Sequence, residues 1–167
     1  MIEREKKLIL DLVTKGLSEE EFRRHFRPSS KDSRKLTLDL LEESYEGKKP
    51  DDVEYALMFG ISFGGFSPEH LDLLCRLSEA DWHYKHEDVV TALDKLRDKR
   101  AIETLCHSAL KRHEYLNYDD ARALAVKAIW ALGNLNDPSA DEKLKLLATN
   151  DDKIVRDEAA KQLLRRK

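Results

Sequence analysis

The segment 60–64, GISFG, matches the G-x-S-x-G pattern that surrounds a serine nucleophile. In that pattern a sharp turn between a strand and a helix lifts the serine hydroxyl above a parallel sheet. Here the apolar residues before Gly60 follow helical spacing, and no strand pattern precedes the glycines. We therefore expect the glycines to end a helix or to allow close packing, and we predict no catalytic residue.

A second candidate site is the segment 83–88, HYKHED, in which two histidines three residues apart are followed by two acids. Neutral imidazoles and carboxylates can share a metal ion. The H-E-x-x-H order is missing, however, and acids in a first helical turn are expected from the helix dipole alone. We predict no metal and no cofactor, and a metal site at His83 and His86 stays an alternative.

Two segments rich in aromatic and charged residues connect helical patterns: the first connector, 80–88, and the second connector, 113–120. In a helical repeat protein, loops one repeat apart lie on the same edge. Aromatic residues beside charges are frequent anchors of protein interfaces. We predict a partner-binding surface formed by Trp82, His83, Tyr84, His86, Glu87, Tyr115, Tyr118, Asp119 and Asp120. The alternative is that the rings pack the loops onto the core and the acids cap helices.

The charge distribution indicates a basic protein partner. The net charge of −3 conceals an acidic region at 50–90, which has nine acidic and two basic residues. Such a region attracts a basic protein surface and repels nucleic acid. No stretch is long and apolar enough to span a membrane, and two cysteines within helical patterns indicate reduced thiols in a cytoplasmic protein.

The clearest architecture lies at 121–163, where apolar residues at helical spacing alternate with turn signals. A comparison of the sequence with itself at a shift of 39 residues supports a repeat. Six positions match: Ala92 with Ala131, Leu93 with Leu132, Leu96 with Leu135, Asp98 with Asp137, Ala101 with Ala140 and Leu105 with Leu144. We predict stacked helix pairs.

The string Ala131-Leu132-Gly133-x-Leu135-x-Asp137-Pro138, followed by Val155-Arg156-x-x-Ala159-Ala160-x-x-Leu163, resembles the HEAT-like repeats of the phycobilisome-lyase type. The resemblance covers about half of the chain, from Glu87 onward. It implies an all-α fold, a HEAT-like α-solenoid or α-α superhelix, which we expect to contain about ten helices. We expect an N-terminal helical part at 1–80, packed on HEAT-like repeats at 81–167 in one continuous domain.

Several local signals apply outside the repeats. Ser18 and Glu21 form a capping-box pattern at a helix start, and Pro50 opens another helix. The segment 28–30, PSS, predicts a break. The C-terminal 165–167, RRK, is expected to be disordered, and its arginines to be helix-end charges.

Three functions are compatible with these observations. The leading hypothesis is a non-enzymatic protein-binding module, and the resemblance extends to bacterial immunity proteins that block a basic toxin domain. The first alternative is a nucleic-acid-binding protein that resembles HEAT-like DNA glycosylases, although no basic stripe crosses the repeats. The second is a lyase-like or metal-dependent enzyme. The sequence leaves the oligomeric state open.

Overall fold

The computed structural model describes residues 1–26 and 32–166, and within these ranges the chain is helical and has no strand. The all-α prediction is therefore confirmed. The chain divides into two units, Met1–Leu73 and Leu74–Lys167. The α-helices are α1 Glu3–Val13, α2 Glu19–His25, α3 Ser33–Glu46, α4 Pro50–Phe59, α5 Leu71–Glu79, α6 His86–Leu96, α7 Ile102–Leu110, α8 Ala123–Asn134, α9 Pro138–Leu147 and α10 Lys153–Arg165.

The first unit has a small aromatic core beneath a capped helix. Ser18 accepts a hydrogen bond from the backbone N–H of Glu21, whose carboxylate accepts one from the N–H of Ser18, so the predicted capping box is confirmed. The ring of Phe22 stacks on those of Phe26 and Phe59, at centroid distances of 4.7 and 5.4 Å. The predicted break at 28–30 lies outside the described residues.

The G-x-S-x-G segment continues α4 as a π-helical turn, Gly60–Gly64. A Cβ atom on Gly60 would lie 2.7 Å from both Thr37 and Phe66, so this glycine permits close packing. A helix, not a strand, precedes the exposed Ser62. The geometry agrees with the packing interpretation of the motif.

The second unit contains the repeats. Helix α8 packs against α6, α7, α9 and α10, while α9 also packs against α7 and α10. Asp98 and Asp137, which match at the 39-residue shift, have the same role: each accepts a hydrogen bond of 2.9 Å from the backbone two residues later, at Arg100 and Ser139. Such a cap contributes about 1 kcal/mol to stability. The apolar matches are buried, except that Leu96 is half-buried.

The end of α10 is ordered as far as it is described, and here the expectation of disorder is wrong. Arg166 donates from Nη1 to the carbonyl oxygens of Leu132, Gly133 and Leu135, and its Nε lies 2.7 Å from the carboxylate of Asp141. These carbonyls belong to the C-terminal end of α8, so a cation there is favoured. Lys167 lies outside the described residues.

Candidate protein-binding site

The two connectors meet in the second unit. The first connector leads from α5 into α6, and the second leads from α7 into α8. The ring of Tyr84 meets that of Tyr115 edge to face at 5.3 Å, and the hydroxyl of Tyr115 lies 2.9 Å from Nδ1 of His86. The sequence expectation that both connectors lie on one edge agrees with these contacts.

Three imidazole rings are packed beneath the tyrosines, and we call His83, His86 and His113 the histidine stack. The ring of His86 lies between the other two, at centroid distances of 4.3 Å from His83 and 3.6 Å from His113. All three side chains are buried, with at most 5% of each residue exposed. The stack therefore joins the first connector to the second through ring contacts.

Hydrogen bonds define which ring nitrogen carries the proton in His83 and in His86. The backbone N–H of Lys85 donates to Nδ1 of His83, so the Nε2–H of His83 donates to the carbonyl of Leu77 over 2.8 Å. In the same way, Nε2–H of His86 donates to the carbonyl of Ala80 over 2.8 Å. Nδ1 of a neutral His86 is then an acceptor, and Tyr115 is its donor.

The stack is neutral at pH 7. Burial lowers the pKa of His83 and that of His113. Burial, with the charges of His83 and His113, lowers the pKa of His86 to about 3. Burial also raises the pKa of the Tyr115 hydroxyl to about 12, so this group stays a hydrogen-bond donor. Asp81 lies 3.6 Å from Nδ1 of His113, but it is 78% exposed and pairs with Lys111 at 2.9 Å.

The stack does not resemble a metal centre, because its hydrogen bonds occupy both nitrogens of His83 and of His86. In residues 1–26 and 32–166, no group of three or more histidine, cysteine or acidic side chains is placed to hold a metal ion. The geometry instead serves to hold two loops in a fixed relation.

The nine residues predicted to bind a partner have unequal access to solvent. Tyr84 is 62% exposed and Tyr118 is 82% exposed, and the Asp120 side chain is also exposed. Trp82, Glu87, Tyr115 and Asp119 are half-buried. His83 and His86 are buried beneath the connectors, so the structure corrects their expected role as direct contacts: a partner cannot touch them, and they position Tyr115 and the loop around it.

The predicted acids also stabilise the fold. Asp119 accepts hydrogen bonds from the backbone N–H groups of Ala121 and Ala123, at 3.1 and 2.6 Å, and so caps the start of α8. Glu87 pairs with Lys127 on α8 at 2.9 Å. Asp119 therefore caps a helix, as the alternative interpretation of the acids expected. Asp120 is exposed and remains accessible to a partner.

Sequence reasoning did not single out the ionic contacts that hold the second connector. Arg112 and Arg122 both approach the carboxylate of Asp152, at 2.9 and 3.1 Å. The Nε–H of Arg122 is not aimed along a hydrogen bond, so its contact is ionic. Asp152 also accepts from the N–H of Ile154 at the start of α10.

The acidic region 50–90 is divided between the two units. In the second unit, part of its charge is already paired: Asp81 contacts Lys111, and Glu79 contacts His107 at 2.6 Å. Two further acids, Glu114 and Asp120, lie outside this region on the second connector, within two residues of Tyr115 and Tyr118, and both are exposed.

Helices α8 and α9 coincide with a known repeat. Residues 124–149 match the family model described as PBS lyase HEAT-like repeat, so this part of the chain is similar to a HEAT-like repeat. The fold prediction made from the same residues is thereby confirmed. No curated protein and no solved structure matches the chain. In the described parts of the chain, no helix has the length and apolarity needed to cross a membrane.

Proposed function

We propose that the chain is a non-enzymatic module that binds another protein through a tyrosine surface formed by Tyr84, Tyr115 and Tyr118. One observation carries the proposal: two exposed tyrosines stand on connectors that a buried histidine stack holds together. Large aromatic side chains in fixed positions bind partners with little loss of conformational entropy. HEAT-like repeats suit such a role, since they commonly act as scaffolds.

The chemistry of the surface favours a basic side chain in the partner. A concave site has six lining residues, of which two are tyrosines and two are acids: Asp81, Tyr84, Arg112, His113, Glu114 and Tyr115. A lysine or arginine that enters this site would meet aromatic rings and carboxylates together, and both attract a cation. The expected partner therefore presents a protruding basic side chain.

More specific roles rest on the sequence resemblance. The role of an immunity protein that blocks a basic toxin domain would use the same surface, and it stays a prediction, as does a cytoplasmic location. The packing of the N-terminal part on the repeats also stays a prediction. Nucleic acid binding and a lyase-like or metal-dependent activity stay alternatives. Serine and metal chemistry are disfavoured because Ser62 lies in a π-helical turn and because His83 and His86 donate to backbone carbonyls.

The test compares proteins captured from an extract of the source cells by four forms of the immobilised chain. Tyr84→Ala and Tyr118→Ala remove rings from the surface, and Leu146→Ala is the matched control because Leu146 is 58% exposed on α9. We expect one protein to be held by the native chain and by the control, and to be depleted about tenfold or more by each tyrosine variant. That protein is then purified and titrated directly against all four forms, with added salt weakening binding if its surface is basic.

Equal capture by all four forms would show that the tyrosine surface is not the binding site. A titration in which Leu146→Ala weakens binding as much as Tyr118→Ala would have the same meaning.

A further inference from the structure

We propose that the histidine stack is an acid-sensitive latch, which holds the two connectors together in neutral solution and opens in mildly acidic solution. Opening would separate Tyr84 from Tyr115 and so disassemble the tyrosine surface. The inference of regulated partner binding rests on the proposed function, whereas the opening of the latch does not.

The latch depends on the closeness of the rings. His86 and His113 are stacked at 3.6 Å, which leaves no room for water between their faces. Either ring could become charged only without its hydration, and two charged rings at this distance would repel each other strongly. The closed stack is therefore a neutral arrangement, and proton uptake favours any conformation that returns a ring to water.

The hydrogen bond between His86 and Tyr115 also depends on the protonation state of His86. Nδ1 of His86 accepts the hydroxyl hydrogen of Tyr115 and can do so only while it carries no proton. Protonation there reverses the hydrogen bond, because Nδ1–H must then donate to the Tyr115 oxygen and the hydroxyl hydrogen must turn to another acceptor. The main force that opens the stack is therefore the cost of a charge on closely stacked, buried rings.

The surrounding charges do not compensate a cation in the stack. The carboxylate of Asp81 favours a charge on His113, but it is largely exposed and paired with Lys111, whose own charge opposes protonation. The Glu79 carboxylate contacts His107, and Glu87 contacts Lys127. Among the described residues, charged and titratable groups face the stack and Tyr115 from every neighbouring element: Glu79 from α5, Asp81 from the first connector, Glu87 and Asp88 from α6, Lys111 and Arg112 after α7, and Glu114 and Tyr118 from the second connector.

His113 is the ring that would leave. It lies at the end of the stack, and Asp81 stands 3.6 Å from its Nδ1 on the solvent side. A protonated His113 that turns out of the stack gains hydration and can keep its contact with Asp81, and it carries the second connector away from His86. If His86 regains the ordinary pKa of 6.5 in the open state, its titration alone raises the opening constant about thirtyfold at about pH 5.

The experiment measures amide hydrogen exchange of the full chain, without a partner, at about pH 7.5 and about pH 5, after correction for the intrinsic exchange rate. We expect residues 81–88 and 113–120 to lose protection about thirtyfold or more at the lower pH, while α8, α9 and α10 keep theirs. Unchanged protection of the connectors would overturn the proposal. Simultaneous loss throughout the second unit would overturn it too, because it would indicate global unfolding.

Variants identify the responsible ring. His113→Phe keeps an aromatic ring that cannot take a proton, and we expect it to reduce the loss of amide protection in the connectors at the lower pH. His86→Gln provides a second variant that cannot titrate. His25→Gln, at an exposed position of α2, should leave the loss unchanged. Titration of the native imidazoles by NMR needs no variant, and ordinary pKa values at His83, His86 and His113 would overturn the latch.

Failure of the latch and failure of the proposed function can be told apart. Connectors that keep their protection at low pH, in a chain whose partner binding depends on Tyr118, would overturn the latch alone. Connectors that open with acid, in a chain whose capture is insensitive to Tyr84 and Tyr118, would overturn the tyrosine surface alone.

Discussion

Tyr115 donates its phenolic hydrogen to Nδ1 of His86 over 2.9 Å, between residues that are 29 positions apart in the chain. This bond and the ring contact between His86 and His113 are two of the links between the connectors that carry the exposed tyrosines. Changes to these contacts should therefore alter the stability of the protein as well as its binding of a partner.

Removal of the Tyr115 hydroxyl should destabilise the protein. Tyr115→Phe leaves the buried Nδ1 of His86 without a donor, and we expect the free energy of unfolding to fall by about 1–2 kcal/mol at neutral pH. Urea denaturation measures the change. Tyr118→Phe is the matched control, since Tyr118 is 82% exposed, and it should change stability by less than about 0.5 kcal/mol. Equal effects of the two variants would contradict the assigned hydrogen bond.

Stability should fall as the pH is lowered from about 6.5. The pKa of His86 is about 3 in the folded chain and 6.5 in its ordinary state, so the unfolded chain binds more protons between these values. The contribution of His86 is fully present above about pH 6.5 and is lost as the pH falls toward about 3. At about pH 5 the loss amounts to about 2 kcal/mol for this imidazole.

Urea denaturation at several pH values between about 8 and 5 measures this dependence, because most carboxylates stay ionised over that interval. His70 is also buried and has a lowered pKa, so it adds to the change in the free energy of unfolding with pH. His86→Gln should reduce the dependence of the free energy of unfolding on pH, whereas His25→Gln should not. A stability that is constant or rises toward pH 5 would show that the stack is not neutral in the folded chain.

The carboxylate of Asp152 should stabilise the second connector together with α10. Burial alone would raise its pKa, but the N–H groups of Ile154 and Val155, with Arg122 and Arg112, hold it below the usual range. Asp152→Asn keeps a capping oxygen but leaves a nine-tenths buried Arg122 without its counter-charge. We expect a loss of about 1–3 kcal/mol.

The effect is measured by urea denaturation, with the exposed Asp151 as its control. Asp151→Asn should be nearly neutral. Asp152→Ala, which also removes the cap, should cost about 1 kcal/mol more than Asp152→Asn. If Asp152→Asn were as stable as the native chain, the two arginines would not depend on this carboxylate.

Gly133 should be required for the close approach of α8 and α10. A Cβ atom there would lie 2.9 Å from Cγ and Cδ of the buried Gln162, so Gly133→Ala should destabilise the protein by about 1–3 kcal/mol. Thermal unfolding measures the loss. Gly16→Ala is the control, since its nearest neighbour would be at an ordinary 3.5 Å. The double variant Gly133→Ala with Gln162→Ala should be less destabilised than additivity predicts; strict additivity would refute the clash.

The features that the sequence predicted correctly are local. Helical periodicity depends on residues three and four positions apart, and a cap such as that of Asp137 depends on an N–H two residues away. The 39-residue repeat could be read because matching positions perform the same packing task in successive helix pairs. For this reason the all-α fold, the capping box at Ser18 and the repeat at 124–149 were accessible without coordinates.

The tertiary structure decided which residues of the candidate site are accessible. His83 and Tyr84 are neighbours in the sequence, yet His83 is fully buried and Tyr84 is 62% exposed. A connector has no regular period from which the direction of a side chain can be read. Composition identified the two connectors, but the contact of His86 with His113, 27 positions later, exists only because the repeats bring the loops together. The ordering of Arg166 has the same origin, since the carbonyls it binds lie more than 30 residues earlier. Interactions within one turn follow from the sequence itself, whereas contacts between distant segments depend on how the helices pack.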